Sequence, residues 1–250
     1  GRRRVLCLHG WRTNTAVLKL QTAGLRKALA GECEFTFLEG PRTAPAASDA
    51  TVAAIFEPPF FEWWREVVRD GSGIFYDFEN GLRESVALLA SHLARHGPFD
   101  VLLGFSQGGT LCALLHALKT RAAAFAAAEG EGADGAPDGV PPPSAFVRGL
   151  PALLARAPMW RAVACLCAVY PEGQALPAFA ARAGTLDVPS LHLTGKEDEH
   201  APSGARLAGC FDARRRRCLQ HASGHTVPQT AAFTAEFARA FRKLLAECDE

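Results

Sequence analysis

Ser106 lies in the sequence Gly104-Phe105-Ser106-Gln107-Gly108, a G-x-S-x-G pattern that is typical of serines that attack acyl groups. The run 100–103 before it predicts a buried strand, and the Leu- and Ala-rich run 110–115 after it predicts a helix. A sharp turn between the two exposes the hydroxyl at a helix N-terminus, where free N–H groups can stabilise an oxyanion. An ordinary turn with a capping serine has the same pattern, so the assignment depends on partners for Ser106.

A serine hydroxyl is a weak nucleophile at neutral pH, and it needs a histidine base that an acid orients. Where the serine follows a strand and opens a helix in this way, the chain order is serine, acid, histidine. Asp198 follows the apolar run 190–194 and Gly195, at the carboxyl end of a predicted strand, and we predict that it is the acid. Glu197 is a neighbouring alternative, whereas Asp187 precedes the strand and is expected at the opposite edge.

His225 is the predicted base, because it lies in a loop after Gly224, between the last predicted strand and the terminal helix. His200 and His221 flank the relevant loops and stay open as alternatives. Packing or solvation is the expected role of the remaining histidines, which fall in or beside predicted strands and helices: His9, His92, His96, His116 and His192.

An oxyanion hole requires two backbone N–H groups, and the residue after the nucleophile, Gln107, supplies the first. We predict Trp11 as the second donor, because it follows the first predicted strand in the turn His9-Gly10-Trp11. Gly10 would permit the close backbone approach that this arrangement needs. A simple turn at the end of a strand is the alternative interpretation of the same residues.

Residues 40–78 lack regular periodicity and are rich in aromatic side chains, which predicts a lid-like loop. Four of these side chains are predicted to form one wall of an apolar acyl pocket: Phe60, Phe61, Trp63 and Trp64. Covering the edge of the sheet is the alternative role for them. A second segment, 121–145, is rich in Ala, Gly and Pro and predicts a flexible surface insertion.

The composition limits the class of protein. The chain has 250 residues, of which 48% are hydrophobic, and a net charge of +1, so no overall charge favours nucleic acid or an anionic membrane. No run approaches the roughly 18 apolar residues of a membrane span, and a soluble cytoplasmic protein is expected. The eight cysteines include no C-x-x-C pair, which predicts free thiols, and no further ligands for a metal site are apparent near them. Cys165 and Cys167 alternate in a predicted strand and are expected on one face.

Short apolar strands alternate with helices from one end of the chain to the other. Strands are predicted at 3–9, 34–38, 100–103, 161–169, 190–194 and 216–220, and helices at 18–30, 79–96, 203–211 and 230–246. Strands of this kind are typical of a parallel sheet that helices cover on both faces. We therefore predict a single α/β domain over residues 1–250.

Several segments together resemble the α/β-hydrolase superfamily and, within it, the compact "family of serine hydrolases", which includes fungal polyketide thioesterases. The resemblance rests on RVLCLHGW at 4–11, EPPFFEWW at 57–64, GPFDVLLGFSQG at 97–108, PSLH at 189–192 with Asp198, and SGHTVP at 223–228. It implies the α/β-hydrolase fold, a triad of Ser106, Asp198 and His225, and hydrolysis of carboxylic esters or thioesters without a metal or an organic cofactor.

Three functions are compatible with these residues. The first is a serine esterase that acts through an acyl-enzyme, on a small-molecule substrate with an apolar acyl chain. The second is a thioesterase for coenzyme A or carrier-protein thioesters, which would favour a basic rim such as Arg42, Lys196 or the run 214–217. The third is a binding protein on the hydrolase fold with little turnover.

Overall fold

A computed structural model describes residues 1–69, 73–77, 80–120, 149–171 and 186–249. Its strands are β1 Arg3–Leu8, β2 Cys33–Leu38, β3 Arg42–Thr43, β4 Phe61–Glu62, β5 Arg65–Arg69, β6 Gly73–Asp77, β7 Val101–Phe105, β8 Ala162–Leu166, β9 Ser190–Gly195 and β10 Arg216–His221. Its helices are α1 Thr15–Gln21, α2 Ala23–Ala28, α3 Ala50–Ile55, α4 Leu82–His96, α5 Gln107–Thr120, α6 Leu150–Leu153, α7 Ala201–Gly209 and α8 Ala231–Ala246. The predicted insertion at 121–145 lies outside the described residues.

Six parallel strands form the central sheet, in the order β10-β9-β8-β7-β1-β2. The alternation of side chains along each strand divides the core into two layers. Leu6 and Leu102 pack with α4 and α5 on one face, whereas Val5 and Leu103 pack with α1, α2 and α8 on the other. The predicted α/β architecture, a parallel sheet with helices on both faces, is thereby confirmed.

The helix predicted at 18–30 is instead two helices, α1 and α2, which meet at Thr22. The Thr22 hydroxyl donates to the Leu18 carbonyl at 2.7 Å, and such bonding to the preceding turn bends or breaks a helix. Apolar residues continue at a period of 3.6 residues across the break, so the sequence pattern predicts one continuous helix.

Residues 40–78 contain more regular structure than the predicted loop. They include α3 and two small antiparallel sheets, β3 with β4 and β5 with β6. The strands β3 and β4 have two residues each, which is too short to produce an alternating sequence pattern. Residues 60–66, here called the aromatic segment, include β4 and lie beside the elbow at Ser106.

Cys165 and Cys167 were expected on one face of a strand, and this prediction is wrong. Cys165 packs in the core layer of α5, and Cys167 packs in the layer of α8. The reason is that β8 ends at Leu166, and Cys167 has a left-handed backbone with φ of 48°. Strict alternation holds only while the strand continues.

His192 provides a test of how burial in this sheet affects stability. Burial, helped by the positive charge of Arg216, lowers the pKa of His192 to about 3 from its ordinary 6.5. Its Nε2 atom has no hydrogen-bond partner among the described residues, and its ring packs edge-on against Phe211 at 4.7 Å. Between pH 6.5 and about 3 the unfolded chain therefore binds a proton at this position that the folded chain does not.

The free energy of unfolding should consequently fall as the pH decreases, by about 1.4 kcal/mol per pH unit for this one group. We expect His192→Leu to reduce the difference in urea stability between pH 7 and pH 5. His96→Gln, at an exposed histidine of α4, is the matched control and should leave that difference unchanged. Equal pH dependence in the wild-type and His192→Leu proteins would contradict the prediction.

Candidate active site

The elbow at Ser106 is a strand-to-helix turn with an unusual backbone. Ser106 directly follows β7, directly precedes α5 and has a φ of 51°. A Cβ atom at Gly104 would lie 2.2 Å from the Gly108 carbonyl carbon, and one at Gly108 would lie 2.3 Å from the Leu8 carbonyl oxygen. Both flanking positions therefore require glycine. Non-glycine residues with positive φ are costly and concentrate at functional sites, which is consistent with a reactive role for Ser106.

Asp198 and His225 are in direct contact. His225 Nδ1 lies 2.8 Å from Asp198 Oδ2, and the Asp198 side chain is only 2% exposed, whereas that of His225 is 31% exposed. Burial alone raises the pKa of Asp198, but the hydrogen bonds from the His225 ring and from the His200 N–H outweigh it and hold the pKa below its ordinary value. Asp198 is therefore a carboxylate, and it holds His225 with Nδ1 protonated and Nε2 free to accept a proton.

The close approach of two loops produces this contact. A Cβ atom at Gly195 would lie 2.2 Å from the Ser223 carbonyl oxygen, so only glycine lets the end of β9 approach the loop that carries His225. The Lys196 N–H donates to the His221 carbonyl at 2.8 Å and fastens the two segments together. Asp198 follows this junction after the end of β9, and His225 follows it after the end of β10.

His225 also lies beside the elbow. Its ring is 5.2 Å from the ring of Phe105, the residue before Ser106. The Ser106 hydroxyl has no hydrogen-bond partner within the described ranges, so the acid and the histidine are in contact and the histidine reaches the elbow through Phe105. Bonds to a catalytic serine are often long in ligand-free enzymes and tighten when substrate binds.

The alternative acids and bases have other contacts. Asp187 is exposed at the opposite edge of the sheet, as expected, and pairs with Arg215 at 3.1 Å. Glu197 is exposed. His200 meets the His225 ring edge-on at 5.2 Å, and His221 is buried with its ring against Phe233. Among the described residues, His225 alone places a ring nitrogen in hydrogen-bond contact with Asp198.

The two predicted oxyanion donors belong to the turn after β1 and to the residue that follows Ser106. The backbone N–H groups of Trp11 and Gln107 donate to no acceptor in the described parts of the chain. A Cβ atom at Gly10 would lie 3.0 Å from the Phe105 ring and 3.5 Å from the Ser106 Cβ, so Gly10 brings the turn after β1 against the elbow. Unpaired N–H groups beside a serine are the arrangement that an oxyanion requires.

The side chain of Gln107 has a role that the sequence pattern did not reveal. Its Oε1 atom accepts the Trp63 N–H at 2.8 Å, and its Nε2 atom donates to the Trp64 carbonyl and to Glu66 Oε1, both at 2.9 Å. Burial raises the pKa of Glu66 to about 7. The residue after Ser106 thus fixes the aromatic segment to the elbow. Such long-range bonds have no sequence signature.

The four aromatic side chains predicted to form a pocket wall differ in exposure. Trp63 and Trp64 are fully buried and Phe60 is nearly so, whereas Phe61 is half-buried. The Trp63 indole N–H donates to the His9 carbonyl at 2.8 Å. Both tryptophans pack in the core layer of α4 and α5, and Phe61 is the most accessible of the four.

Cys167 is a neighbour of the candidate site that sequence reasoning missed. Its sulfur and one ligand atom each of Asp198 and His225 lie within 4.8 Å of one another, close enough for a single divalent cation. Burial raises the pKa of the Cys167 thiol to about 12, which disfavours the thiolate that binds metals. The hydrogen bond between Asp198 and His225 explains the positions of those two side chains without a cation.

A parallel sheet with helices on both faces, a serine at a strand-to-helix elbow and a carboxylate–histidine pair at the same sheet edge define the α/β-hydrolase class. The family model described as "Serine hydrolase (FSH1)" matches residues 1–237. The chain belongs to this family of serine hydrolases and is an enzyme.

The relatives and structural neighbours agree with this assignment. The chain is 32% identical over 242 residues to the human protein named esterase OVCA2, with 91% of this chain and 90% of that protein covered. It is 28% identical over 256 residues to esterase FPY3 of Fusarium mangiferae, with 97% and 96% covered. Among solved structures, acyl-protein thioesterase 2 of Zea mays has a TM-score of 0.55 at 16% identity, covering 98% of this chain and 94% of that one, and supports the fold.

None of the helices in the described ranges combines the length and apolar character that crossing a bilayer requires.

Proposed function

We propose that this protein hydrolyses carboxylic esters with an apolar acyl chain, using Ser106, Asp198 and His225 as a catalytic triad. The observation that carries the proposal is the 2.8 Å contact between His225 and the buried Asp198 carboxylate, at the sheet edge where Ser106 opens α5. An oriented histidine beside a strained, half-buried serine has the parts that acyl transfer needs.

In the proposed mechanism, the Ser106 oxygen attacks the acyl carbonyl while His225 Nε2 takes the hydroxyl proton. Asp198 stabilises the imidazolium that forms, and its negative charge is retained throughout the reaction. The carbonyl oxygen becomes an oxyanion that the Trp11 and Gln107 N–H groups stabilise. His225 then protonates the leaving alcohol, and water repeats the sequence on the acyl-enzyme.

The contacts of the predicted basic rim support an uncharged substrate. The basic run 214–217 lies around the start of β10, at the sheet edge opposite Ser106, and three of its arginines pair with carboxylates: Arg214 with Asp212, Arg215 with Asp187 and Arg217 with Glu247. Arg12 and Arg42 both face the buried Glu62 carboxylate, each with its Nε atom at 3.8 Å. These contacts neutralise most of the cations that a nucleotide or carrier-protein thioester would need and leave Lys196, which is exposed, as the remaining lysine of the predicted rim. They favour an uncharged ester.

The test combines labelling and turnover. A fluorophosphonate probe should label the folded protein at Ser106, and p-nitrophenyl esters of increasing acyl length should show a preference for longer, uncharged chains. Acyl coenzyme A thioesters of matched chain length form the comparison arm. A Ser91→Ala variant, altered at an exposed serine of α4, is the control for labelling.

The possible results separate the three functions. Faster turnover of esters than of thioesters would support the proposal, and the reverse preference would identify a thioesterase. Absence of labelling at Ser106 in folded protein would overturn both enzyme assignments and leave a ligand-binding protein. A flat dependence on chain length would argue against an apolar pocket wall that includes Phe61.

A further inference from the structure

His9 and Thr13 are buried polar residues that the proposed mechanism does not use. The His9 side chain is fully buried, and its Nδ1 atom lies 2.7 Å from the Gly10 carbonyl oxygen. The Thr13 hydroxyl donates to the same oxygen at 2.8 Å. Two buried donors on one carbonyl are more than the backbone of a short turn needs, which indicates that the orientation of this carbonyl matters.

The protonation state of His9 follows from its two partners. A carbonyl oxygen can only accept, so Nδ1 must carry the proton. The Gly40 N–H donates to Nε2 at 2.9 Å, so Nε2 must be unprotonated. Burial lowers the pKa of His9 and keeps the ring neutral, although Glu39 lies 3.6 Å from Nε2. His9 is therefore held as a single neutral tautomer between two backbone groups.

The Gly10 carbonyl and the Trp11 N–H belong to the same peptide unit. In a planar trans peptide these two groups point in opposite directions, so fixing the oxygen also fixes the N–H. Gly10 tolerates many backbone conformations, and nothing in its own side chain would prevent rotation of this peptide. The next residue, Arg12, has a left-handed backbone with φ of 49°, which marks a turn that its surroundings must hold.

We propose that His9 and Thr13 are positioning residues that hold the Gly10–Trp11 peptide with its N–H directed toward the oxyanion at Ser106. The inference rests on the proposed ester hydrolysis and adds that its kcat depends on His9 and Thr13. Loss of one donor weakens the hold on the Gly10 carbonyl, so the peptide rotates more easily and the oxyanion hole is left for part of the time with the Gln107 donor alone. The substrate is bound before the oxyanion forms, so the effect falls on kcat more than on KM.

Two substitutions of His9 separate the carbonyl contact from general packing. An asparagine amide nitrogen can take the place of Nδ1 and still donate to the Gly10 carbonyl, whereas a glutamine amide oxygen can take the place of Nε2 and accept only the Gly40 N–H. Because loss of one oxyanion donor costs about 10² to 10³ in kcat, we expect His9→Gln to lower kcat about 100-fold, with KM within about threefold. His9→Asn should remain within about tenfold of wild type.

Thr13 provides a second, smaller change. Thr13→Val preserves the shape of the side chain and removes the hydroxyl, and it should lower kcat about tenfold, because the His9 donor remains. Thr13→Ser should restore it. Each maximal rate is divided by the concentration of active sites, measured by titration with a fluorophosphonate. A loss of folded protein then does not appear as a loss of kcat.

The affinity of an alkyl boronic acid is a second measurement, which a purely structural role of these residues would not change. The tetrahedral serine adduct of this acid mimics the intermediate, so the affinity should fall in parallel with kcat/KM for His9→Gln and Thr13→Val. Equal kcat losses in His9→Gln and His9→Asn, or wild-type kcat per titrated serine in His9→Gln and Thr13→Val, would overturn the inference. Failure of the proposed function would be distinguished from failure of this inference by Ser106→Ala, which would then hydrolyse the ester at the wild-type rate.

Discussion

Replacing Ser106 with alanine is expected to lower kcat for ester hydrolysis by about 10⁶-fold, as removal of a triad serine does in other hydrolases. Without the hydroxyl no acyl-enzyme forms, and His225 and the oxyanion donors can only assist a water molecule. The folded structure should persist, because the bond from the Ser106 N–H to the Leu166 carbonyl at 2.8 Å does not use the side chain.

The measurement is steady-state hydrolysis of the best p-nitrophenyl ester, with thermal unfolding as the check on folding. Ser91→Ala, on the exposed face of α4, should retain full activity. A Ser106→Ala protein that is folded and hydrolyses the ester at the wild-type rate would exclude Ser106 as the nucleophile.

The second large effect is expected for Asp198→Asn, which should lower kcat by about 10⁴-fold. Asparagine keeps the size of the side chain but loses the charge that stabilises the imidazolium. Its amide nitrogen can also donate toward His225 Nδ1 and favour the tautomer that has its proton on Nε2, where it blocks proton transfer from Ser106. The Asp198 side chain is almost fully buried, so water cannot replace the lost charge.

Glu197→Gln is the matched control, because Glu197 is the adjacent acid, is exposed and was an alternative from the sequence. Its kcat should stay within about threefold of wild type, since exposed charges interact weakly. The reverse result, with a large loss in Glu197→Gln and a small loss in Asp198→Asn, would reassign the acid.

The sequence pattern predicted the parts of this protein that depend on local order along the chain. The six strands of the central sheet and most helices around it follow from apolar periodicity, and the positions of Ser106, Asp198 and His225 at one sheet edge follow from strand direction. The contact between Asp198 and His225 is consistent with the predicted chain order. The catalytic roles themselves stay predictions.

What the sequence did not reveal depends on contacts between distant segments. The bonds from Gln107 to Trp63 and Trp64 span more than forty residues, and no periodicity predicts them. Cys167 leaves the face expected for it because its strand ends one residue earlier. The pairing of His9 with Gly40 depends on the path of the chain after β2, which local propensity does not determine.

The attachment of the aromatic segment to Gln107 bears on how the substrate range of this enzyme could be changed. Enlarging a binding site by mutagenesis usually begins with its largest aromatic residues. Here the Trp63 indole N–H is bonded to the His9 carbonyl, so a smaller side chain at this position would loosen the turn after β1, although the backbone N–H of Trp63 would still donate to Gln107 Oε1. Variant libraries for new substrates should therefore vary Phe61, which is half-buried, and leave the two tryptophans intact, because they pack in the core beside the elbow.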